Sequence, residues 1–349
     1  MYYHTKSYSP THDDDDSPFD EDVDMSSESD SLQSYQKQPG FLSFLRGYSV
    51  YDVMPDSGKI VLMDPDLSVA QAVGVLVYNE ITSLPLWDSA IESFFGMFTV
   101  WDLVDILVAS HDELYASPGS CPTAHQWYNL VAERSVRSWK QFNPRPLSTV
   151  DPSCTLAQAL QILRTQSLHR LPVLDDTGTV IHIISPRRIA GFLVSKYRRA
   201  GDSELVKTVA ELAEDNIGVF EKSALLTCRK TDPLVDILRI LQTSRVASLI
   251  IVEQDSRGIW PVDIFNTADL IGLVFGSSLP TDSITVEDAL KFQLPRREKL
   301  HKIKRDTRLK QLLQDSAQHR IHRFVVVDED DYLVGMLSLG DILKSFGAS

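Results

Sequence analysis

The chain is poor in the residues that do covalent or metal chemistry. Its three cysteines, Cys121, Cys154 and Cys228, stand at spacings that fit neither a disulfide framework nor a metal site. They suit a reducing compartment. No apolar run approaches the ~18 residues that a bilayer-spanning helix needs. The start, MYYHTKSYSP, has no apolar signal core. The expected setting is therefore cytoplasmic and nuclear, with no membrane span. There is no phosphate-binding G-x-x-x-x-G-K-[ST] loop, no H-E-x-x-H and no G-x-S-x-G. Binding without turnover is expected: not an enzyme, with no cofactor. Basic residues are in the minority, 34 against 48 acids for a net charge of −14, which argues against nucleic acid as a partner.

The acids are unevenly spread. Residues 1–38 hold ten acids and two lysines, a net of −8, with almost no aliphatic residues. Such a segment cannot bury enough apolar surface to offset its ordering entropy, so a disordered acidic tail is expected there. A short amphipathic helix is expected within 41–55.

What is present is repetition. Residues 168–189 read LHRLPVLDDTGTVIHIISPRRI, and 321–342 read IHRFVVVDEDDYLVGMLSLGDI. Each has a His-Arg pair, an apolar strand, a turn, a second strand and a hydroxyl that opens a helix. Blurred copies lie at 81–103 and 245–270. Each copy follows a helical apolar run beginning at Val69, Leu156, Leu234 or Leu309, opened by capping residues. From there to Leu84, Leu171, Leu249 and Phe324 the spacing is 15 in all four. A spacing without insertions means that helix and strand pack on one core. From those positions to Asp102, Arg188, Asp269 and Asp341 the spacing is 18, 17, 20 and 17, so the variation sits in the hairpin. Neither helix of a repeat can bury its apolar face alone. The first repeat should therefore pair with the second and the third with the fourth.

Three copies place a hydroxyl or amide three residues before an acid: Thr99 and Asp102, Asn266 and Asp269, Ser338 and Asp341. Each acid falls in the first turn of a helix, beside free N–H groups and the positive end of the dipole. That is an ordinary cap, and it is also a place where a carboxylate can accept from two vicinal hydroxyls, as acids do with ribose in dinucleotide folds. The second copy has Ser185 and Arg188, so ribose recognition is not expected there. His169, Arg170, His322 and Arg323 precede the first core strands of their copies. With Arg245 and Arg187 they suggest a cationic cluster where the repeats meet, suited to phosphate. Asp175, Asp176, Asp330 and Asp331 read as turn chemistry.

The helix–strand–strand–helix unit with HRLPV and SLGD resembles the CBS (cystathionine-β-synthase) domain. The run from YDVMPDSGKIVLMDPDLSV through SLPLWDS, HRLPV, RVASL and HRFVVVDED resembles the γ subunits of AMP-activated protein kinase and their sucrose-nonfermenting relatives, over about residues 45–347. The resemblance implies an α+β fold of four β-α-β-β-α CBS repeats, at 45–110, 146–200, 216–277 and 284–347, with a connector at 111–145. It implies that they pair into two Bateman modules, set head to head in a flat disk around a cationic hollow. The implied ligands are AMP, ADP and ATP. Thr99, Asp102, Ser185, Asn266, Asp269, Ser338 and Asp341 would lie on the adenosine side, and His169, Arg170, Arg187, Arg245, His322 and Arg323 on the phosphate side. The implied partners are a catalytic kinase α subunit and a scaffolding β subunit. The sequence departs from the animal pattern at Thr82, where Arg is usual, at Arg187, where Lys is, at Asn266 and Val219, where Ser and Thr are, and at Gln293, where a basic residue is, with Arg296 and Arg297 close by. These departures bear on direct activation by AMP rather than on nucleotide binding. The alternatives are a CBS-domain structural or signalling protein with vestigial nucleotide sites, or a regulator of a different enzyme.

Overall fold

The computed structural model describes residues 41–55, 60–116, 122–144, 147–197, 203–276, 284–292, 294–295 and 297–345. The acidic segment 1–38, Gln293 and Arg296 lie outside the described residues.

The first repeat runs α2 (Val69–Tyr78), β1 (Ser83–Asp88), β2 (Ser93–Thr99) and α3 (Val100–Tyr115), preceded by α1 (Phe41–Arg46). The connector forms α4 (Ala124–Glu133) and α5 (Val136–Phe142). The second repeat is α6 (Leu156–Thr165), β3 (Leu171–Leu174), β4 (Val180–Ile184) and α7 (Pro186–Lys196). Short helices α8 (Ser203–Val206) and α9 (Val209–Glu214) lead to the third: β5 (Thr227–Cys228), α10 (Leu234–Ser244), β6 (Ser248–Gln254), β7 (Ile259–Asn266) and α11 (Asp269–Phe275). The fourth follows α12 (Val286–Leu290) as β8 (Lys302–Ile303), α13 (Leu309–His319), β9 (Arg323–Val327), β10 (Leu333–Ser338) and α14 (Leu339–Ser345). The helix expected within 41–55 is only α1 plus a 3-10 turn at Tyr51–Val53.

The 15-residue ruler has a structural counterpart. Each repeat's antiparallel hairpin lies in a sheet of its own, and among the described residues no hairpin merges with another. A leading strand or bridge runs parallel to the first hairpin strand, with partners Met63–Leu86, Val150–Val173, Cys228–Ile251 and Ile303–Val326. In each repeat the leading residue lies six before the helix start, and its partner two past the ruler position. The helix-to-strand link turns on a left-handed residue, Glu80, Ser167, Arg245 or Arg320, with φ of 54, 52, 53 and 59°. All four stand four residues before the ruler position.

Pairing is made by reciprocal exchange of lead segments. Residues ahead of the first repeat bridge to the second repeat's helix start (Ser49–Thr155), and residues ahead of the second bridge back to the first (Ser135–Ser68). The third and fourth do the same through Thr208–Arg308 and Thr285–Pro233. These crossings satisfy orphan N–H groups of the first turns: Val69, Leu156, Leu234 and Leu309 donate to the carbonyls of Arg134, Tyr48, Ile284 and Lys207 at 2.8–2.9 Å. In the third–fourth pair, Ile250, Val252, Val325, Val327 and Leu333 also join the two hairpins in one small core.

The helices find their partners elsewhere, which corrects the reason given above for pairing. Their apolar faces close across the pairs. Leu76, Leu103 and Ile106 of the first repeat share a core with Leu238, Leu241 and Ile271 of the third. Leu156, Ile189 and Leu193 of the second share one with Leu309, Leu312 and Ile342 of the fourth. The connector belongs to the first of these cores. Trp127 and Trp139 are buried in it, and the Trp127 indole donates to the Leu107 carbonyl at 2.9 Å. The Asp-rich turns are turns: Asp175 Oδ1 accepts from the N–H groups of Thr177 and Thr179, and Asp328 Oδ1 from those of Asp330 and Tyr332.

The lead of the third repeat lies hard against the fourth. Val219 and Met336 exchange two backbone hydrogen bonds of 2.8 Å. A Cβ at Gly335 would sit 2.5 Å from the Phe220 ring and 2.9 Å from the Val219 carbonyl oxygen. Gly335→Ala should therefore cost about 1–3 kcal/mol of overpacking, read as a lower midpoint in chemical denaturation. A midpoint equal to wild type would show that this contact yields freely.

Candidate functional site

The four hairpins and the starts of their second helices border one continuous cavity of about 3050 Å³, lined from all four repeats. Two repeats supply its clustered cations. In the fourth, Arg323 pairs with Ser338 across β9–β10, and the Leu339 N–H donates to the His322 carbonyl at 2.8 Å. The His-Arg pair therefore lies beside the turn that carries Asp341. From the second repeat come His169, Arg170 and Arg187. Arg320, the left-handed residue ending α13, adds a further charge that sequence reading did not single out.

The cluster is short of counter-charge. Arg323 pairs with Glu298 at 2.8 Å and donates to Asn266 Oδ1 at 2.9 Å. Glu298 Oε1 also accepts from the N–H groups of His322 and Arg323 at 2.6 and 3.0 Å. Arg170 donates to the Thr82 hydroxyl at 3.1 Å, the residue that stands where an arginine is usual in animals. Among the described residues no carboxylate pairs with Arg170, Arg187 or Arg320. The histidines respond. His169 is wetted by the cavity yet walled in by protein, and that burial, with Arg323 and Arg170, lowers its pKa to about 4. His322 is lowered to about 3 by burial and then by Arg323, Arg170, Arg187 and His169. Burial and then Arg187 lower Arg170 as well. Arg187 is lowered by burial, then by Arg320 and Arg188.

The three acids share one geometry and differ in what faces them. In each, one oxygen serves the acid's own helix start. Asp102 Oδ2 accepts from Thr99 N and Oγ1 at 2.7 and 3.1 Å. Asp269 Oδ2 accepts from Asn266 N at 2.8 Å. Asp341 Oδ2 accepts from Ser338 N and Oγ at 3.0 and 2.6 Å. The other oxygen tells them apart. Asp102 Oδ1 takes the Lys140 ammonium at 2.7 Å, with side chains 1% and 11% exposed. Asp269 Oδ1 takes Arg297 Nε at 3.0 Å, 3% and 7% exposed. Arg297 also grips Asp263 at 3.0 Å and the Ile264 carbonyl. Burial pushes Asp269 up to about 6, and the Arg297 pair opposes this without cancelling it. Among the described residues Asp341 Oδ1 has only Lys344 at 3.4 Å, on its own helix, with side chains 26% and 55% exposed.

Asp269 is thus brought to the cavity wall but closed, Asp102 is buried beside the cavity-lining Thr99, Trp101 and Lys140 and is closed too, and Asp341 is open. Ser185 caps the second site's helix, accepting from Arg188 N at 3.4 Å, and Arg188 Nε donates to the Val53 carbonyl at 2.9 Å. Arg245 lines the cavity but does not join the cluster. It pairs with Asp105 at 3.7 Å and lies over the Trp101 ring. Its counterpart by register is Arg320, which does join the cluster; what sets Arg245 apart is its own neighbours, the Asp105 carboxylate and the Trp101 ring. Arg297, near the missing basic position, is spent on two acids. Lys140, Arg297, Glu298 and the Val53 carbonyl all lie in the lead segments ahead of the first core helices, outside the stretch that the 15-residue spacing covers.

The CBS domain model matches residues 140–195 and 286–348, the second and fourth repeats. A protein of Methanocaldococcus jannaschii, proposed as an archaeal homologue of γ-AMPK, superposes with a TM-score of 0.63 at 17% identity, covering 85% of this chain and 99% of that one. That likeness speaks for the fold. The second and fourth repeats thus match the CBS domain, and the first and third repeats share their build. Along most of its length it is similar to γ subunits of 5′-AMP-activated protein kinase. It is 30% identical to that of Dictyostelium discoideum over 316 residues, 87% of this chain and 52% of the relative. It is 30% identical to γ-3 of Bos taurus over 319 residues, 88% and 61%. The chain therefore spans between about half and three fifths of these relatives.

The lowered histidine pKa values fix a pH dependence. Unfolded, each imidazole holds its proton up to about 6.5, whereas folded it gives the proton up above about 4 (His169) or 3 (His322). Protonation favours the unfolded chain, so the stability tied to neutral imidazoles is intact above about 6.5 and is lost as pH falls toward those lower values. A His169→Gln, His322→Gln double variant should show a shallower fall in melting temperature from pH 6.5 to 4.5 than wild type. Parallel curves would place the acid lability elsewhere.

Proposed function

We propose that the chain is the adenine-nucleotide-binding regulatory subunit of a serine/threonine kinase assembly, a γ-type subunit. It would work beside a catalytic and a scaffolding partner, in the cytoplasm and nucleus, in response to energy or nutrient state. The observation that carries the reading is the open carboxylate of Asp341 next to a pool of underpaired cations from two repeats. A nucleoside phosphate has the complementary layout: two vicinal hydroxyls that donate to a carboxylate, and a dianionic end for guanidinium forks. His322 and His169 are neutral near pH 7 and can donate a hydrogen bond to phosphate without adding to the repulsion among the arginines. The relatives named above support the kinase assignment, and AMP, ADP and ATP are the ligands to test.

A pair of ribose hydrogen bonds to a carboxylate is charge-assisted, each worth ~1.5–3 kcal/mol. Asp341→Ala should weaken AMP and ADP binding at least about tenfold, since ~1.4 kcal/mol is a factor of ten. If Asp341 only steadied its helix, its loss would cost ~0.3–1 kcal/mol of stability and no specific affinity. Calorimetric titration beside melting curves separates the two, and unchanged affinity with a lowered melting point would remove the ribose role. For the partners, tagged chain drawn from native extract should bring down a serine/threonine kinase. Recovery of homodimers alone would count against the assembly.

A further inference from the structure

Each of the four equivalent positions at the second-helix starts is addressed by the lead segment of its pair partner. For Asp102 that segment is α5, ahead of the second repeat, and it delivers Lys140. For Arg188 it is the 3-10 turn ahead of the first repeat, and it delivers the Val53 carbonyl at 2.9 Å. For Asp269 it is the stretch ahead of β8, and it delivers Arg297. For Asp341 it is the stretch from Ile217 to Phe220, which lies along β10 with Val219 paired to Met336 and the Phe220 ring at Gly335, and which among the described residues delivers no charge to Asp341. Cation meets acid twice, an acceptor meets the arginine once, and the fourth position is left to the cavity.

We infer that Lys140 and Arg297 are tethered counter-ions that close two of the three acid sites, so that the chain takes up one nucleotide, at the fourth repeat. The inference rests on the ribose role of these carboxylates. It makes Lys140 a specificity-determining residue. The Lys140 ammonium sits on the acceptor oxygen that Asp341 leaves available, and a ribonucleoside can reach Asp102 only by displacing it. Arg297 is bound more tightly, by two acids and a carbonyl, and loss of Arg297 would strand Asp263 and Asp269 together. Lys140 has one partner among the described residues, so loss of its side chain frees a single oxygen. The space would be walled by Val61, Phe95 and Trp101, which line the same cavity and suit the flat apolar face of a purine. Thr82 and Ser83 stand there in place of a His-Arg pair, and Arg170, 3.1 Å from the Thr82 hydroxyl, is the cation within reach, so adenosine is the probe that reads the ribose contact at Asp102 apart from any phosphate contact.

The test is a calorimetric count of adenosine and AMP bound by the full chain, in wild type, Lys140→Ala, Lys140→Arg and Asp341→Ala. The expected counts are one AMP for wild type, none for Asp341→Ala, one for Lys140→Arg, and one AMP plus an additional adenosine for Lys140→Ala. Millimolar n-propylammonium, which replaces the truncated side chain, should abolish the additional adenosine and leave the AMP site untouched. A Lys140→Ala chain that melts cooperatively yet binds a single ligand would overturn the latch while leaving Asp341 as the site. Two or more ligands on wild type would overturn the closure of the other sites. Adenosine bound by Lys140→Ala, with no nucleotide bound by wild type, would uphold the latch and overturn the assignment at Asp341. If Lys140→Ala fails to fold alone, propylammonium present during refolding should restore it. Failure of that rescue, with Lys140→Arg folding normally, would make Lys140 a structural residue and overturn the latch.

Discussion

Everything in this molecule follows from the fact that a hairpin with two helices has more apolar surface than it can cover. Full burial of one leucine is worth about 1.5–3 kcal/mol, so a repeat that left a helix face in water would forgo most of its stability. The helix faces close between first and third repeats and between second and fourth, and lead segments cross between first and second and between third and fourth. Each repeat is thus tied to two others by different means, and the four ties form a closed circuit. A circuit has a middle. The strand ends and second-helix N-termini of all four repeats are directed there, because the other surfaces are already committed. The position of the cavity is a consequence of packing. Its chemistry is set by the few side chains that packing leaves over.

That chemistry is electrostatically unfavourable in isolation. Arginines from the second and fourth repeats are gathered with Glu298 as the carboxylate that pairs within the group. The histidines shed their protons in response, which limits the repulsion. Burying like charges is costly unless they are paired or hydrogen-bonded. The cost is borne by the cross-pair cores, which hold the loops of both repeats at fixed separation whether or not an anion is present. An anion entering the cluster relieves repulsion that the fold has already absorbed, so little reorganisation is needed on binding. The same reasoning accounts for the neutral histidines: they can donate to phosphate, and they can take up a proton once a negative charge lies beside them.

The sequence made the repeat itself legible, because helix period, capping residues and a 15-residue ruler are all local. Thr99 and Ser338 stand at their helix starts for the same reason, since a cap and the acid three residues on belong to one turn; Asn266 does not cap, because α11 opens after Ala268 and the Asn266 side chain accepts from Arg323 instead. The leading strands were not visible as periodic segments. They are two residues or a single bridge long, and depend on a partner across the repeat. The helix pairing was misjudged because an amphipathic stripe says that a partner exists and not which of several equal stripes it is. Arg245 was grouped with the cluster, and it matches the clustered Arg320 in register, but Asp105 and the Trp101 ring hold it, neither of which the repeat pattern shows. Lys140 and Glu298 were out of reach as site residues, and Arg297 was visible only as a basic residue near Gln293, because all three come from lead segments outside the 15-residue spacing.

That last point explains how one frame written four times can give four unlike sites. The repeat fixes the backbone, the helix start and the capping oxygen, and nothing in it distinguishes Asp102 from Asp269 or Asp341. The difference comes from the segments ahead of each repeat, which are free of the ruler because their task is only to bridge to the partner's helix. A lysine at 140 or an arginine at 297 changes a site's occupancy without touching the repeat's core. The internal cation and an external ligand are then rivals for the same oxygen, and their competition is set by tether against concentration. A tethered ammonium acts at an effective concentration in the millimolar range or above. The closed state is therefore favoured at Asp102 and Asp269 unless a ligand offers more than the single ionic contact it displaces. At Asp341 the rival is Lys344, at 3.4 Å and more than half exposed, and a contact of that kind contributes little.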